Sequence, residues 1–414
     1  MKKILPVTIV LIIASFLIFF KYDQIPKGLA HDENELARTA FSLEKKPYTP
    51  YTTVADGHGT PYFYALLLSF KLFGVNQFAL RLPSRIFGIL NILLFYLILR
   101  LVFNKEKLLT TNHWLLATLL FLTSHWYLHF TRIALETPFL LFLELASLYF
   151  ILHTVKKPVA PCVLLSAIFS GLAFNSYQPG RIFFLVPLLV LLVKKVNWRS
   201  IVYFLVIFAI MIFPMSFYLI THPGNDIRID QQFFLKNTEL SIDKKIKFLS
   251  SNIQTTSLMF FTNGDINGQH NYSGKPALNP VLAMFFTIGL FLALFNLKEF
   301  SNKLFLFYFF IAIIPTILTY PWENPNMLRT YTALPSIVYF IGLTFLEIYR
   351  LIKKKYKKYL FIFIYLSSAL YLLSSIYELR TYFKYQRLVF KQAFDKPDNL
   401  NIIRQDILKQ EVIK

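Results

Sequence analysis

The stretch "KGLAHDENELARTAFSLEKK", residues 27–46, gathers His31, Asp32, Glu33 and Glu35 a few residues beyond a long apolar N-terminal segment. Carboxylates beside a bilayer are costly unless water, partners or chemistry hold them there. Asp32 and Glu35 have the spacing of a helix capping box, with acid at the positive end of the helix. A capped helix start also fixes a carboxylate rigidly, which a general base requires. Taken alone, the residues favour a cap over a base, because such caps are common, and the two readings are compatible.

Four arginines fall at matching ends of apolar runs: Arg81 in "FALRLPSR", Arg132 in "HFTRIALE", Arg181 in "SYQPGRIF" and Arg329 in "NPNMLRTY". Singly, each fits snorkelling or head-group contact. Together on one membrane face they fit phosphate binding, because the planar guanidinium matches phosphate oxygens. Arg132 and Glu136 also have helical i,i+4 spacing. His58, in "ADGHGTPYFY", fits either a polar loop residue or a ligand. "FTNGDINGQHNYSGKPALNP" sets Asp265, Asn267, His270 and Asn271 among glycines. It lacks calcium-loop spacing and reads as turns or as a lid over the membrane surface. Cys162 is the only cysteine, which excludes an intrachain disulfide and makes a cysteine metal site implausible.

The elements that must position these residues are membrane helices. The chain of 414 residues is 56% hydrophobic and 16% charged, a composition that no soluble core could hide. The net charge of +21 comes from short basic clusters between apolar stretches, so it speaks for insertion orientation and against nucleic acid. Apolar runs at about 4–20, 82–103, 113–128, 137–155, 159–176, 181–195, 200–220, 278–297, 303–320, 330–349 and 359–376 predict about eleven spans. "MKKILPVTIVLIIASFLIFFKYD" has no A-x-A cleavage site and is longer than a signal h-region, so it is expected to remain as the first span, its N-terminus cytoplasmic. Lys105, Lys107, Lys156, Lys157, Lys194, Lys195, Arg199, Lys298, Lys303 and the run "RLIKKKYKK" then fall in cytoplasmic loops. Trp114, Trp126, Trp198 and Trp322 are expected at span ends as an aromatic belt. Three segments face outward: 21–81, 221–277 and a tail from 377 to 414. Within the first, Leu36, Ala37, Ala40 and Phe41 share one helical face, and "TPYFYALLLSFKLFG" is apolar but short. Both are expected to be interfacial helices.

The acidic "HDE" after span one, "HGTPYFYALLLSFKLFG", "QFALRLPSRIFGIL", "HFTRIALETPFLLF", "GLAFNSYQPGRIFFLVPL", the 261–282 stretch and "NPNMLRTYTALP" follow one another in an order that resembles the polyprenyl-phosphate-dependent GT-C glycosyltransferases. The similarity is to protein O-mannosyltransferases and the lipid A aminoarabinose transferase, and it runs to about residue 340. It implies an all-α polytopic membrane fold, with residues 1–376 as the catalytic domain and 377–414 as a short outer tail. The implied reaction moves a sugar from a polyprenyl-phosphate donor to an acceptor hydroxyl on a protein, lipid or glycan, on the extracytoplasmic face and with inversion. Asp32 matches the family's base and Glu33 its adjacent acid. Arg81, Arg132, Arg181 and Arg329 become the expected phosphate ligands, and His58, Asp265 and His270 the expected acceptor or lid residues. No cofactor is expected. The divalent ion used by some branches finds no ligand cluster in the sequence. "HGTP" departs from the usual proline-rich or Glu-Lys stretch. A lipid-linked-glycan flippase or a glycan ligase remains the alternative. A flippase calls for ionisable groups deep within spans, where Glu144 is the main acid, whereas a ligase calls for a late outer loop.

Overall fold

The computed structural model describes residues 5–103, 110–156 and 160–412. Helix α1 (Leu5–Phe19) leads into the first loop, which carries α2 (His31–Phe41) and α3 (Pro61–Phe73). Helix α4 (Gln77–Val102) starts under Asn76, whose side chain accepts the Ala79 N–H at 2.9 Å. The apolar run at 113–128 is divided at Ser124 into α5 (Thr110–Thr123) and α6 (His125–Arg132). Next come α7 (Thr137–Lys156), α8 (Ala160–Ser176), α9 (Leu185–Val193) and α10 (Trp198–Thr221). The second loop holds α11 (Ile227–Gln232) and α12 (Ile242–Leu258). Helices α13 (Pro280–Phe295), α14 (Phe300–Ile317), α15 (Leu334–Lys355) and α16 (Leu360–Arg380) complete the bundle, before α17 (Arg387–Ala393) and α18 (Leu400–Val412). Among the described residues the only strands are Tyr51–Thr52 and His58–Gly59, paired antiparallel.

Helix stands at each expected apolar run, and the chain is an all-helical, multi-pass membrane protein. Among the described residues, six segments are long and apolar enough to cross a bilayer: α4, α10, α14, and those within 137–154, 331–355 and 357–393. The other runs are shorter; even the 17 residues of α8 reach only about 26 Å against a hydrocarbon core of about 30 Å. Helix length therefore does not establish eleven crossings. Lys105, Lys107 and Lys157 lie outside the described residues.

Packing is closest where small residues let backbones meet. A Cβ on Gly289 of α13 would stand 1.8 Å from the Phe340 carbonyl oxygen of α15, so only glycine fits that crossing. The aromatic belt needs correction. Trp198 and Trp322 are exposed, but Trp114 and Trp126 are core residues. Trp126 donates its indole N–H to the Met327 carbonyl at 3.0 Å, and Trp114 stacks on Phe103 at 3.9 Å. In the first loop the expected face of α2 is inside: Leu36, Ala37, Ala40 and Phe41 are all buried, with Phe41 stacked on Phe70. The C-terminal segment folds back onto this loop. Leu29 and Lys396 form a β-bridge, α18 packs on α2, and Arg404 Nε donates to Glu44 at 2.8 Å.

Candidate active site

The capping expectation for Asp32 and Glu35 is met by a different pair. Ala30 is the N-cap, and Glu33, at the third helical position, accepts the Ala30 N–H at 3.0 Å. Asp32 makes no cap and is left free in the first turn, where the helix dipole favours a carboxylate. Glu33 is fully buried and fully committed. Its oxygens accept Arg81 Nε and Nη2, each at 2.7 Å, and the Ala134 N–H at 2.8 Å. Arg81 Nη1 donates to the Pro26 carbonyl at 2.8 Å. The pair braces three chain segments beneath Asp32 and has no free edge for a phosphate or an acceptor.

The second loop reaches over to Asp32. Asp265 Oδ2 accepts His270 Nδ1–H at 3.0 Å and the Met327 N–H at 2.9 Å. His270 Nε2 has no hydrogen-bond partner and stands 3.9 Å from Asp32 Oδ2. Gln269 Oε1 accepts the Asp32 backbone N–H at 3.4 Å. Burial alone would push His270 down, but its hydrogen bond to Asp265 and the Asp32 carboxylate raise it to about 9. Burial would push Asp32 up, yet the His270 imidazolium, with His31 and Arg228 further off, holds it below the usual carboxylate value. Asp32 is thus ionised and oriented at neutral pH, with 41% of its side chain exposed.

That exposed side faces a cavity of about 420 Å³, lined also by His31, His58, Glu136, Tyr177 and Arg228. His58 Nδ1–H donates to Glu136 Oε2 at 3.0 Å, and its Nε2 accepts from Arg228 Nη2 at 2.9 Å. Glu136 therefore pairs with His58 and not with Arg132, because α6 stops at Arg132 and Ile133 is extended. Glu136 Oε1 is buried without a partner, an acceptor available to whatever enters. The "HGTP" stretch sits tightly against the end of α8: a Cβ on Gly59 would meet the Asn175 carbonyl oxygen at 1.7 Å. Arg228 and Tyr177 were not singled out by sequence reasoning. Arg228 lies in "NDIRIDQQ", with nothing to mark it but its charge.

The four expected arginines divide into two pairs. Arg81 is spent on Glu33. Arg132 is spent on α1, donating to the carbonyls of Leu17, Ile18, Phe20 and Ile25 at 2.7–2.9 Å, so it caps that helix's C-terminus. Arg181 and Arg329, by contrast, line one largely apolar groove of about 220 Å³ between the second loop and α14. Each has one acid partner: Asp226 for Arg181 at 2.7 Å and Glu323 for Arg329 at 2.8 Å. Tyr177 lines both the groove and the Asp32 cavity. Among the described residues no three His, Cys, Asp or Glu side chains converge as a metal site.

The described helices thus form a bundle with a first-loop acid over a polar cavity and an adjoining apolar groove, and the comparisons with known proteins bear on that arrangement. Residues 58–225 match the family model for dolichyl-phosphate-mannose-protein mannosyltransferase. The structure is similar to ArnT from Cupriavidus metallidurans bound to undecaprenyl phosphate (TM-score 0.55, 11% identity), covering 97% of this chain and 77% of that one. It is also similar to the apo oligosaccharyltransferase of Archaeoglobus fulgidus (TM-score 0.52, 14% identity), covering 95% of this chain and 56% of that one. At such identities the likeness is one of fold. No curated protein matches.

Proposed function

We propose that the chain is an inverting membrane glycosyltransferase that takes its sugar from a polyprenyl phosphate on the extracytoplasmic face. The observation that carries this reading is the adjacency of two compartments. Asp32, ionised and steered by His270, faces a polar cavity, and through Tyr177 that cavity adjoins an apolar groove bearing two arginines. The groove suits a prenyl chain with its phosphate at Arg181 or Arg329, and the cavity suits a sugar and an acceptor hydroxyl. The similar ArnT structure holds undecaprenyl phosphate, which agrees with a donor of this kind.

In the reaction, the acceptor oxygen attacks the anomeric carbon and its proton passes to Asp32. The bond from the anomeric carbon to the phosphate oxygen breaks, and both electrons leave with the polyprenyl phosphate. Arg181, Arg329 and Arg228 stabilise the charge that develops on that phosphate. Asp265, His270, Glu33 and Arg81 are positioning residues, since they act through Asp32 or the helix that carries it. Basic residues stand at the C-terminal ends of α9 (Lys194) and α15 (Lys353, Lys354 and Lys355), whereas Ile182 and Arg329, just before the N-termini of these helices, line the groove, which supports an extracytoplasmic site. The test is release of polyprenyl phosphate from a panel of polyprenyl-phosphate sugars, with a set of acceptor candidates, by purified protein in liposomes. Release by wild type that falls at least a hundredfold in Asp32→Asn supports the reading. Equal release by both removes Asp32 as the base.

A further inference from the structure

A second cleft, of about 520 Å³, opens between the segment that follows α1 and the C-terminal segment around α17, and it shares no residue with the Asp32 cavity. Its floor is apolar, made by Leu29, Phe390 and Phe394, all buried. Its rim carries four cations, Lys27, Arg387, Lys391 and Lys396, against two acids. The two acids offset part of this charge and leave a net excess of two positive charges on the rim. Asp395 pairs with Lys396 at 3.5 Å, while Asp398 accepts the Gln77 N–H at 3.1 Å and the Leu400 N–H at 3.4 Å. Lys27, Arg387 and Lys391 are exposed, and no ion pair joins them to an acid among the described residues. An apolar floor beneath a rim of net positive charge, at the ends of α1 and α4, matches an amphipathic anion, with fatty carbon below and phosphate above.

We propose that this cleft binds a phosphate ester, carried on a lipid headgroup at the membrane surface, separately from the sugar donor. The site also touches the machinery around Asp32. Phe390 stacks on His129 with centroids 5.3 Å apart, His129 Nε2 donates to the Gln269 carbonyl at 2.7 Å, and the Gln269 side chain holds the Asp32 N–H.

The experiment titrates the purified full chain in a neutral detergent with short-chain phosphatidylglycerol, short-chain phosphatidylcholine and inorganic phosphate, reading apparent affinity from thermal stabilisation. The expected result is stabilisation by phosphatidylglycerol in clear excess over phosphatidylcholine. It should weaken roughly 25-fold in Arg387→Gln/Lys391→Gln, at about fivefold per basic side chain. Lys27→Gln, from the opposite wall, should weaken it about fivefold, so the test does not depend on one variant folding. Stabilisation by inorganic phosphate, lost in the same variants, would show that the anion suffices, and its absence that the lipid carrier is needed; either agrees with the proposal. Equal stabilisation by the two lipids, or an unchanged response in both variants, would overturn it.

Discussion

Replacing His270 with Gln should change how the reaction depends on pH more than it changes the fold. His270 Nε2 stands 3.9 Å from Asp32 Oδ2 and is held protonated to about pH 9 by Asp265 and Asp32. At that separation the attraction between unit charges is ~1 kcal/mol in water and ~4 kcal/mol at a protein-like dielectric of about 20. Because the Asp32 side chain is 41% exposed, the lower end applies, and about 1 kcal/mol corresponds to roughly fivefold in rate. In wild type, kcat/KM for sugar transfer should fall on the alkaline side as the imidazolium deprotonates near pH 9, and on the acidic side below the usual carboxylate value. In His270→Gln the alkaline limb should vanish. The acidic limb should move up, since Asp32 loses the cation that depresses it, and the rate at neutral pH should drop roughly fivefold. The same linkage bears on stability: a raised histidine contributes fully below about pH 6.5, and that contribution is lost as pH rises through about 9. Its size is about 3 kcal/mol at most, from the shift between 6.5 and about 9. Profiles measured on folded protein of both forms decide the matter. An alkaline limb that persists unchanged in His270→Gln would refute the assignment.

Asp32→Asn should lower polyprenyl phosphate release by about 10²–10⁴-fold, the usual range for a lost general base, while thermal unfolding in detergent stays near wild type. Glu33→Gln should do the opposite. It breaks a fully buried ion pair, so about 3–5 kcal/mol of stability should be lost, visible as a lower melting temperature before any kinetic effect. Arg132→Ala should also act on the fold, by orphaning the carbonyls at the end of α1, and would be scored by melting temperature and yield. Arg329→Ala and Arg181→Ala should weaken donor use about tenfold each, measured as kcat/KM over a donor series, with melting temperature nearly unchanged.

The helices were legible because apolar runs report burial directly, and the face of α2 was legible because Leu36, Ala37, Ala40 and Phe41 obey the helical period. Asp32 was legible as a residue worth watching, and so was the Asp265–His270 stretch. Their meeting was not, because it depends on a fold-back across more than two hundred residues that leaves no period in the sequence. Local spacing also misled. It suggested Asp32 with Glu35 for the cap and Arg132 with Glu136 for an ion pair; the cap keeps that spacing but forms two residues earlier, between Ala30 and Glu33, and a tertiary partner, His58, takes Glu136. Arg228 carried no local signature at all, since a single arginine in a polar loop resembles any solvated charge.

The arginines show why position alone could not assign roles. A guanidinium has five donors, and what it can do for a substrate depends on how many are already satisfied. Arg132 is saturated by carbonyls, which carry no net charge, so it keeps its cation but offers no free edge. Arg81 is saturated by a carboxylate and offers neither charge nor edge. Arg181 and Arg329 each hold one carboxylate from one side and line an apolar groove with the rest. An arriving phosphate can compete for them without stripping a buried acid of its only partner, because Asp226 also accepts from Tyr51 at 3.2 Å and Glu323 is a third exposed. The cost of exchanging partners is therefore lowest at the two arginines beside the groove, and there a leaving phosphate can be met.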